Sequence, residues 1–245
     1  MERFITITDF IKNVIRGTIF ENHVFAVGGS VRDMQMKNAI KDIDLVIDIE
    51  NGGVEFAKFC MDSNLLTHDV VIFERFGTAM FKFLKFPDDE IECVMTRGEK
   101  YPDRNSRNPE TVFASIEDDC IRRDLTINAL YYNISTGEIV DMVGGQKDIE
   151  NKVIRTTNEN PDIVFDDDPL RVLRCCRFST RYGWNIESKT YESMKRYVDR
   201  LEIISKERIN DEFNKILLSD NAVMGIRTLC DIGAMKYIIP EVDEM

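Results

Sequence analysis

Apolar residues recur along this chain with two different periods, and the change from one to the other divides it. Phe10, Ile11, Val14 and Ile15 fall on one helical face behind Thr8 or Asp9 as cap. Residues 23–27 are β-rich and run into Gly28-Gly29, after which residues 30–36 begin a second helix. At 42–48 the alternation is strict. Ile43, Leu45 and Ile47 share one face and Asp42, Asp44, Val46 and Asp48 the other, which predicts a half-buried strand with acids on its open side. A helix over 53–62, a short strand at 70–73 and two longer strands at 78–86 and 90–96, parted by Pro87-Asp88-Asp89, follow. The polar stretch 97–110, with two prolines, reads as a loop. Ser115 and Asp118 resemble a capping box for a helix reaching about Tyr131, and Ser135-Thr136-Gly137 turns the chain into a strand over 138–143.

Beyond Gly145 helical periodicity takes over. Asp168-Pro169 opens a helix at its first turn, and further helices are predicted at 189–198, 206–218 and 222–231. The pattern therefore predicts an α+β protein, with a small domain built on a mixed sheet followed by an all-helical second half. No internal repeat or low-complexity tract separates the two.

Composition narrows the chemistry. A chain of 245 residues with 43% hydrophobic content can bury a core. It has no apolar run of membrane-spanning length, and the start MERFITITDF lacks the features of a leader peptide, so a cytoplasmic protein without a membrane partner is expected. The six cysteines are scattered without C-x-x-C spacing and read as reduced, buried thiols. With His23 and His68 the only histidines, a structural zinc site or a His-centred triad has little to work with. Carboxylates and arginines must carry the chemistry. A net charge of −12 speaks against broad nucleic-acid binding, yet basic patches at 97–107, 122–123 and 171–181 are local sites for phosphate.

Asp42 and Asp44, two apart on a strand, project from one face at a spacing that suits a shared hard cation such as Mg²⁺. In isolation such a D-x-D is most often a solvated strand edge. Its context is Gly28-Gly29-Ser30-Val31-Arg32-Asp33, a strand-to-helix turn where backbone amides approach an anion and Arg32 is placed to clamp it, the alternative being a tight turn with a surface arginine. Glu92 supplies a third carboxylate if its strand neighbours that of Asp42. Strand parity sets it on the opposite face from Arg97, which opens R-x-E-x-Y with Glu99 and Tyr101, unless the strand ends between them. In the run 118–124, Asp119 stands at helical spacing from Arg122 and Arg123, as Asp124 does from Asn128. Farther on, Asp168, Arg171, Arg174 and Arg177 wind along one side of a helix whose other side is Val172, Leu173 and Cys176. Such a stripe is usually a solvated face. Asp168 and Arg171 nevertheless join an acceptor to fixed donors, a combination that suits the Watson–Crick edge of a base.

The ordered set G-G-x-V-R-D, D-x-D, R-x-E-x-Y, D-x-x-R-R-D-x-x-x-N and D-D-P-L-R-x-L-R-x-x-R-F, running from about Val24 to Pro240, resembles the class II tRNA nucleotidyltransferase and bacterial poly(A) polymerase family. The resemblance implies a polymerase-β-like catalytic head over 1–145 carrying Mg²⁺ on Asp42 and Asp44. It also implies a helical neck over 146–205 that recognises the base and the start of a helical body over 206–245. Gly29, Arg32, Arg123, Asp168, Arg171, Arg174 and Arg177 match nucleotide-contacting positions, and Gly28 belongs to the same turn. The implied activity is template-independent addition of CMP and AMP from CTP and ATP to a tRNA 3′ end, an RNA rather than a DNA substrate, with release of pyrophosphate. Poly(A) addition, C-only or A-only addition, and a non-catalytic RNA-binding role remain alternatives. Family members usually continue into a tail that helps to hold the tRNA, whereas this sequence ends at Met245, so weaker tRNA binding is an expectation. The oligomeric state is open.

Overall fold

The strict alternation at 42–48 folds as a strand, β2 (Ile43–Ile47), and the computed structural model, which describes residues 1–40, 42–100 and 110–240, sets it at the centre of a sheet. Contacts divide the chain into two units. The first comprises 1–100, 110–121 and 128–146; the second takes the described residues of 122–127 and 147–245.

In the first unit, helix α1 (Glu2–Ile15) leads to β1 (Val24–Val27), α2 (Gly29–Gln35), β2, α3 (Gly52–Asp62), β3 (Val71–Phe73), β4 (Thr78–Phe83) and β5 (Phe86–Met95). A hairpin of β6 (Arg97–Lys100) and β7 (Glu110–Phe113) follows, then α4 (Ile116–Ile121), β8 (Leu130–Asn133), β9 (Ile139–Asp141) and α5 (Gly145–Asn151), which passes into the second unit. Seven strands form one sheet in the order β3-β4-β5-β2-β1-β8-β9. All neighbours are antiparallel except β2 and β5, which run parallel, so the sheet is mixed.

Both faces of the sheet's centre are covered. Leu45, Ile47, Ile91 and Cys93 are buried on the side of α3, whose Phe56 meets Phe20 and Phe81 in ring contacts. On the opposite side Phe25, Val27, Val46 and Tyr131 pack with Cys120 of α4 and with Val94 and Ile116. The strand is therefore half-buried only at its Asp44 end, because α4 seals the rest of the face that carries the acids.

Several elements differ from expectation. Helix α1 begins at Glu2 rather than at Thr8, whose hydroxyl instead donates to the Phe4 carbonyl within the helix (2.9 Å). The β4–β5 turn falls at Leu84-Lys85, and Pro87 lies in β5 before the part that pairs with β2, a position where its missing N–H breaks no ladder bond to that strand. Residues 97–100 pair with β7 as a strand rather than forming a loop. Ser115 does cap α4, its Oγ accepting from Asp118 N at 3.1 Å, but the helix stops at Ile121 and residues 130–133 form a strand.

The second unit holds β10 (Val153–Ile154), α6 (Pro161–Asp167), α7 (Leu170–Tyr182), β11 (Asn185–Ile186), α8 (Ser188–Tyr197), α9 (Lys206–Leu217), α10 (Ala222–Asp231) and α11 (Met235–Ile238). It is helical but for the two-residue parallel pair of β10 with β11, which the helical reading of this half omitted. Among the described residues no helix is long and apolar enough to cross a membrane.

All six cysteines are free thiols, and five are buried; Cys230 is exposed, against the expectation that all six are inside. Burial pushes the Cys60 and Cys176 thiols up to about 12 and raises Cys93 and Cys175 well above the usual range. Since the thiolate is the reactive form, a thiol reagent at pH 8 is expected to label Cys230 alone at a fast rate. Cys230→Ser should remove that fast phase, while denaturant should release the other thiols; a second fast thiol in the native protein would contradict the burial pattern.

Candidate functional site

The first unit gathers acids and the Gly-Gly turn at one end of the central strands. Antiparallel register sets Val27 opposite Asp44, so Gly28 follows β1 at the end of β2 where the acids stand. Parallel register pairs Asp44 with Glu92 on β5, and Val46 with Val94 one step farther along the same face. Cross-strand partners point the same way, so the Asp44 and Glu92 carboxylates emerge side by side. Asp42 precedes β2 by one residue and is exposed. The condition set for Glu92, that its strand neighbour that of Asp42, is met.

Gly28 has φ 70° and ψ −125°, a conformation open to glycine and strained for other residues. Arg32 is not a surface arginine. Its Nε and Nη2 donate to the two carboxylate oxygens of Asp33 at 3.0 Å each, and its Nη1 donates to Asn128 Oδ1 at 2.6 Å. The guanidinium is buried, and Nη2 would lie 3.6 Å from a Cβ at Gly29, so it packs across the start of α2. Asn128 is thus tied to Arg32 across a long stretch of chain.

Helix α4 ends at Ile121, so residues 122–128 do not continue the helix on which the pairing across 118–128 was expected. Asp119 is fully buried and accepts from the Tyr131 hydroxyl and from Arg97 N. Arg97 begins a new strand after Thr96, which removes the parity argument that set it against Glu92. Of the R-x-E-x-Y run, Glu99 is described in its backbone alone and Tyr101 lies outside the described residues.

The donors at this acidic end are all hard oxygens. Among the described residues no group of three or more His, Cys, Asp and Glu side chains forms a closed cage. Oxygen donors of this kind suit a hard cation such as Mg²⁺, which is bound through one or two carboxylates together with water and substrate phosphate.

In the second unit a cleft of about 250 Å³ is lined by Arg122, Arg123, Asp124, Asp168, Leu170, Arg171, Arg174 and Arg208. Five arginines face two aspartates there, which concentrates positive charge in a chain of net charge −12. Asp168 stands in extended conformation just before α7; its Oδ1 accepts from Leu170 N at 3.1 Å and its Oδ2 from Arg208 Nη2 at 2.9 Å. Arg171 is buried, its Nη1 donating to the Val164 carbonyl at 3.3 Å.

Arg174 donates through Nε to Asp124 Oδ2 at 2.7 Å. Burial acts to lower its pKa, but the carboxylates of Asp124, Glu212 and Asp168 together outweigh that and hold it above the usual arginine value. Arg177 donates to Glu212 and lies over the Phe178 ring, 4.1 Å from its centroid. The stripe on α7 is therefore braced by buried acids and is not a solvated face. Asp168, Arg171, Arg174 and Arg123 share the cleft, whereas Arg177 lines a neighbouring one with Arg181 and Lys215. Arg208 and Glu212, four residues apart on α9, were not picked out in the sequence. Acids and bases at that spacing also mark an ordinary solvated helix, so no local signal separates the two cases.

A family model described as Poly A polymerase head domain matches residues 24–155, and one described as Probable RNA and SrmB- binding site of polymerase A matches residues 183–245. The "Multifunctional CCA protein" of Acinetobacter baumannii (strain SDF) is 33% identical over 230 residues, 91% of this chain and 51% of the relative. The "tRNA nucleotidyltransferase cca1" of Schizosaccharomyces pombe is 34% identical over 234 residues, 89% of this chain and 46% of the relative. A solved apo form II structure of a CCA-adding enzyme superposes with a TM-score of 0.83 at 28% identity, covering 97% of this chain and 55% of that one. The chain spans about half the length of the curated relatives it matches. With the head-domain model covering more than half of its residues, the chain belongs to the poly(A) polymerase head-domain family, that of the CCA-adding enzymes it is similar to.

Proposed function

We propose that this chain is an RNA nucleotidyltransferase that extends a tRNA 3′ end with CMP and AMP taken from CTP and ATP. The observation that carries the reading is the pairing of Asp168, an acceptor, with Arg171, a donor, at the mouth of α7 in a cleft of arginines. Cytosine and adenine both present an amino donor beside a ring-nitrogen acceptor, and an Asp–Arg pair complements that edge. Arg123 and Arg174 are assigned to the triphosphate and ribose, Arg177 to the flank of the site, and Gly28, Gly29 and Arg32 to the phosphates beside Asp44.

In the reaction, the RNA 3′-hydroxyl oxygen forms a bond to the α-phosphorus, the bond from that phosphorus to the departing pyrophosphate breaks, and the hydroxyl proton leaves to solvent. Asp42 and Asp44 are assigned to a divalent cation, Mg²⁺, which when bound supplies Lewis-acid stabilisation of the attacking and leaving oxygens. Glu92 adds a third carboxylate beside Asp44, and Asp33 with Asn128 fixes the plane of Arg32. In this division residues 1–145 act as the catalytic head, 146–205 as the neck and 206–245 as the start of a body.

The test is extension by the full chain, with Mg²⁺, of tRNAs lacking one, two or all of their terminal C, C and A. Labelled CTP and ATP are expected to complete the end and stop. Unlimited AMP addition would identify poly(A) activity, addition of one base alone a partial enzyme, and no incorporation on any RNA would refute the reading. In the same assay Asp168→Ala is expected to lower the preference for CTP and ATP over UTP by about tenfold or more; unchanged selectivity would remove Asp168 from base recognition.

A further inference from the structure

The two sides of the acidic end are not alike. On the β1 side stand the Gly28-Gly29 turn and the buried Arg32, which are assigned to the phosphates of the incoming nucleotide. On the other side the sheet continues from β5 to β4 and ends at β3, an edge strand. Register carries the acid-bearing face across these strands: Glu92 lies opposite Met80, and Met80 opposite Val71. In the adjoining rows of the same face Glu90 lies opposite Lys82, and Thr78 opposite Phe73. Cross-strand partners share a face, so Val71, Phe73, Met80 and Lys82 extend the surface that presents Asp44 and Glu92.

That extension changes character away from the acids. Val71 is 49% and Phe73 45% exposed, and Met80 and Lys82 are half-buried between the edge strand and β5. The core beneath α4 reaches Val94, but Phe73, two strands farther out in that row, lies open. Lys82 enters no ion pair among the described residues, although Glu90 is its cross-strand partner. An apolar shelf with one cation therefore borders the carboxylates.

The direction of the reaction gives this shelf a use. Transfer sets the attacking and leaving oxygens roughly in line, on opposite sides of the α-phosphorus. With the pyrophosphate on the β1 side, the attacking hydroxyl arrives from the β5 side, and the nucleotide that bears it extends over β4 and β3. Two strand spacings, about 10 Å, separate β5 from β3, room for one ribose and its base. Every base has a π-face that stacks on aromatic and apolar side chains, and the phosphate on its 5′ side attracts a cation.

We propose that β4 and β3 seat the 3′-terminal nucleotide of the acceptor RNA. Phe73, with Val71 and Met80, stacks against its base, and Lys82 holds its phosphate, which brings the 3′-hydroxyl beside Glu92 and Asp44. The inference rests on the proposed nucleotide transfer and on the triphosphate lying at the Gly-Gly turn, and it adds a site for the second substrate. Stacking accepts any base, so one seat serves RNA ends that finish in C or in A.

An RNA hairpin whose single-stranded 3′ end finishes in 4-thiouridine tests this when irradiated with the full chain in the absence of nucleoside triphosphate, where no turnover is needed. The crosslink is expected within residues 71–82, and its yield against protein concentration gives an apparent affinity. Phe73→Ala should weaken that affinity by about tenfold. Lys82→Gln should reduce the slope of log affinity against log salt by about 0.7, the loss of one single-strand phosphate contact. Both variants should melt close to the parent temperature, because Phe73 is exposed and Lys82 is in no ion pair. A crosslink confined to other segments overturns the proposal, and so does the absence of any crosslink. An affinity unchanged in Phe73→Ala or a salt slope unchanged in Lys82→Gln overturns it as well. A crosslink within 71–82 on a chain that extends no RNA upholds the seat and refutes the catalytic reading; an active chain crosslinked elsewhere does the reverse.

Discussion

Asp44→Asn is expected to abolish nucleotide transfer and to leave the fold intact. Asp44 is the point where the acidic end meets the rest of the first unit: it is opposite Val27, the residue before the Gly-Gly turn, and beside Glu92 on the parallel neighbour. Replacing one carboxylate oxygen by an amide nitrogen preserves the shape of the side chain and the strand pairing, but removes the charge that a hard cation requires. Metal stabilisation of attacking and leaving oxygens amounts to several kcal/mol, and each 1.36 kcal/mol is a factor of ten, so a loss of about a thousandfold or more is expected. Asp42→Asn, at an exposed position one residue before the strand, should behave alike. The checks are extension of a tRNA lacking its terminal A, together with a thermal melt. Full activity in either variant would remove that residue from metal binding, and a collapsed melt would assign it a structural part. Base selectivity is the discriminating control: it is assigned to the cleft at α7 in the proposed function, so CTP and ATP should keep their relative affinities in both variants.

The two halves of the candidate site were not equally legible in the sequence. Period-two alternation at 42–48 found β2 within a residue at each end, and the Gly-Gly turn was found because a positive φ at Gly28 leaves few other residues. At α4 the start is legible and the end is not, whereas α1 begins at Glu2, ahead of the caps expected at Thr8 or Asp9. Ser115 caps α4, but nothing local says that the helix stops at Ile121; it stops because Leu125, Ile127, Ala129 and Tyr131 are all drawn into cores. The turn placed at Pro87-Asp88-Asp89 failed in the same way, since proline is a breaker only where its N–H would be needed.

Partnership across long sequence separations was the other gap. Arg32 with Asn128, Arg174 with Asp124, and Asp168 with Arg208 each join residues on separate elements, and local spacing carries no trace of them. The helix on which Asp119 with Arg122 and Asp124 with Asn128 are expected as neighbours stops at Ile121. Once α4 ends, Asp119 turns to Tyr131 and Arg97 N, and Asp124 to α7. What the charges of this chain do is thus decided by the fold. The −12 total coexists with a cationic cleft because Glu212 and Asp124 lie behind the arginines of the helical unit as braces, and the acidic end of the sheet stands on the other unit.

Gly53→Ala is expected to destabilise the first unit severely. Gly53 lies in the first turn of α3, where a Cβ would run into the backbone carbonyl oxygens of Cys93 and Gly77. Neither can yield as a flexible side chain would. Cys93 sits in β5 with β2 paired on one side and β4 on the other, and Gly77 is held by the Met95 N–H (3.2 Å). Relief therefore requires α3 to lift from the sheet, parting Phe56 from Phe81 and opening the buried face behind Glu92. Overpacking costs about 1–3 kcal/mol where neighbours can shift, and a rigid backbone contact belongs at or above the top of that range. At roughly 2–4 °C per kcal/mol for a chain of this size, the melting temperature should fall by about 10 °C. Gly29→Ala is the matched comparison, since its Cβ would meet only Arg32 Nη2 at an ordinary 3.6 Å and alanine favours the helix it would join. That variant should melt at or above the parent temperature. If the two alanines shift the melting temperature equally, the close seat of α3 on β5 is not what holds the acidic strands in place.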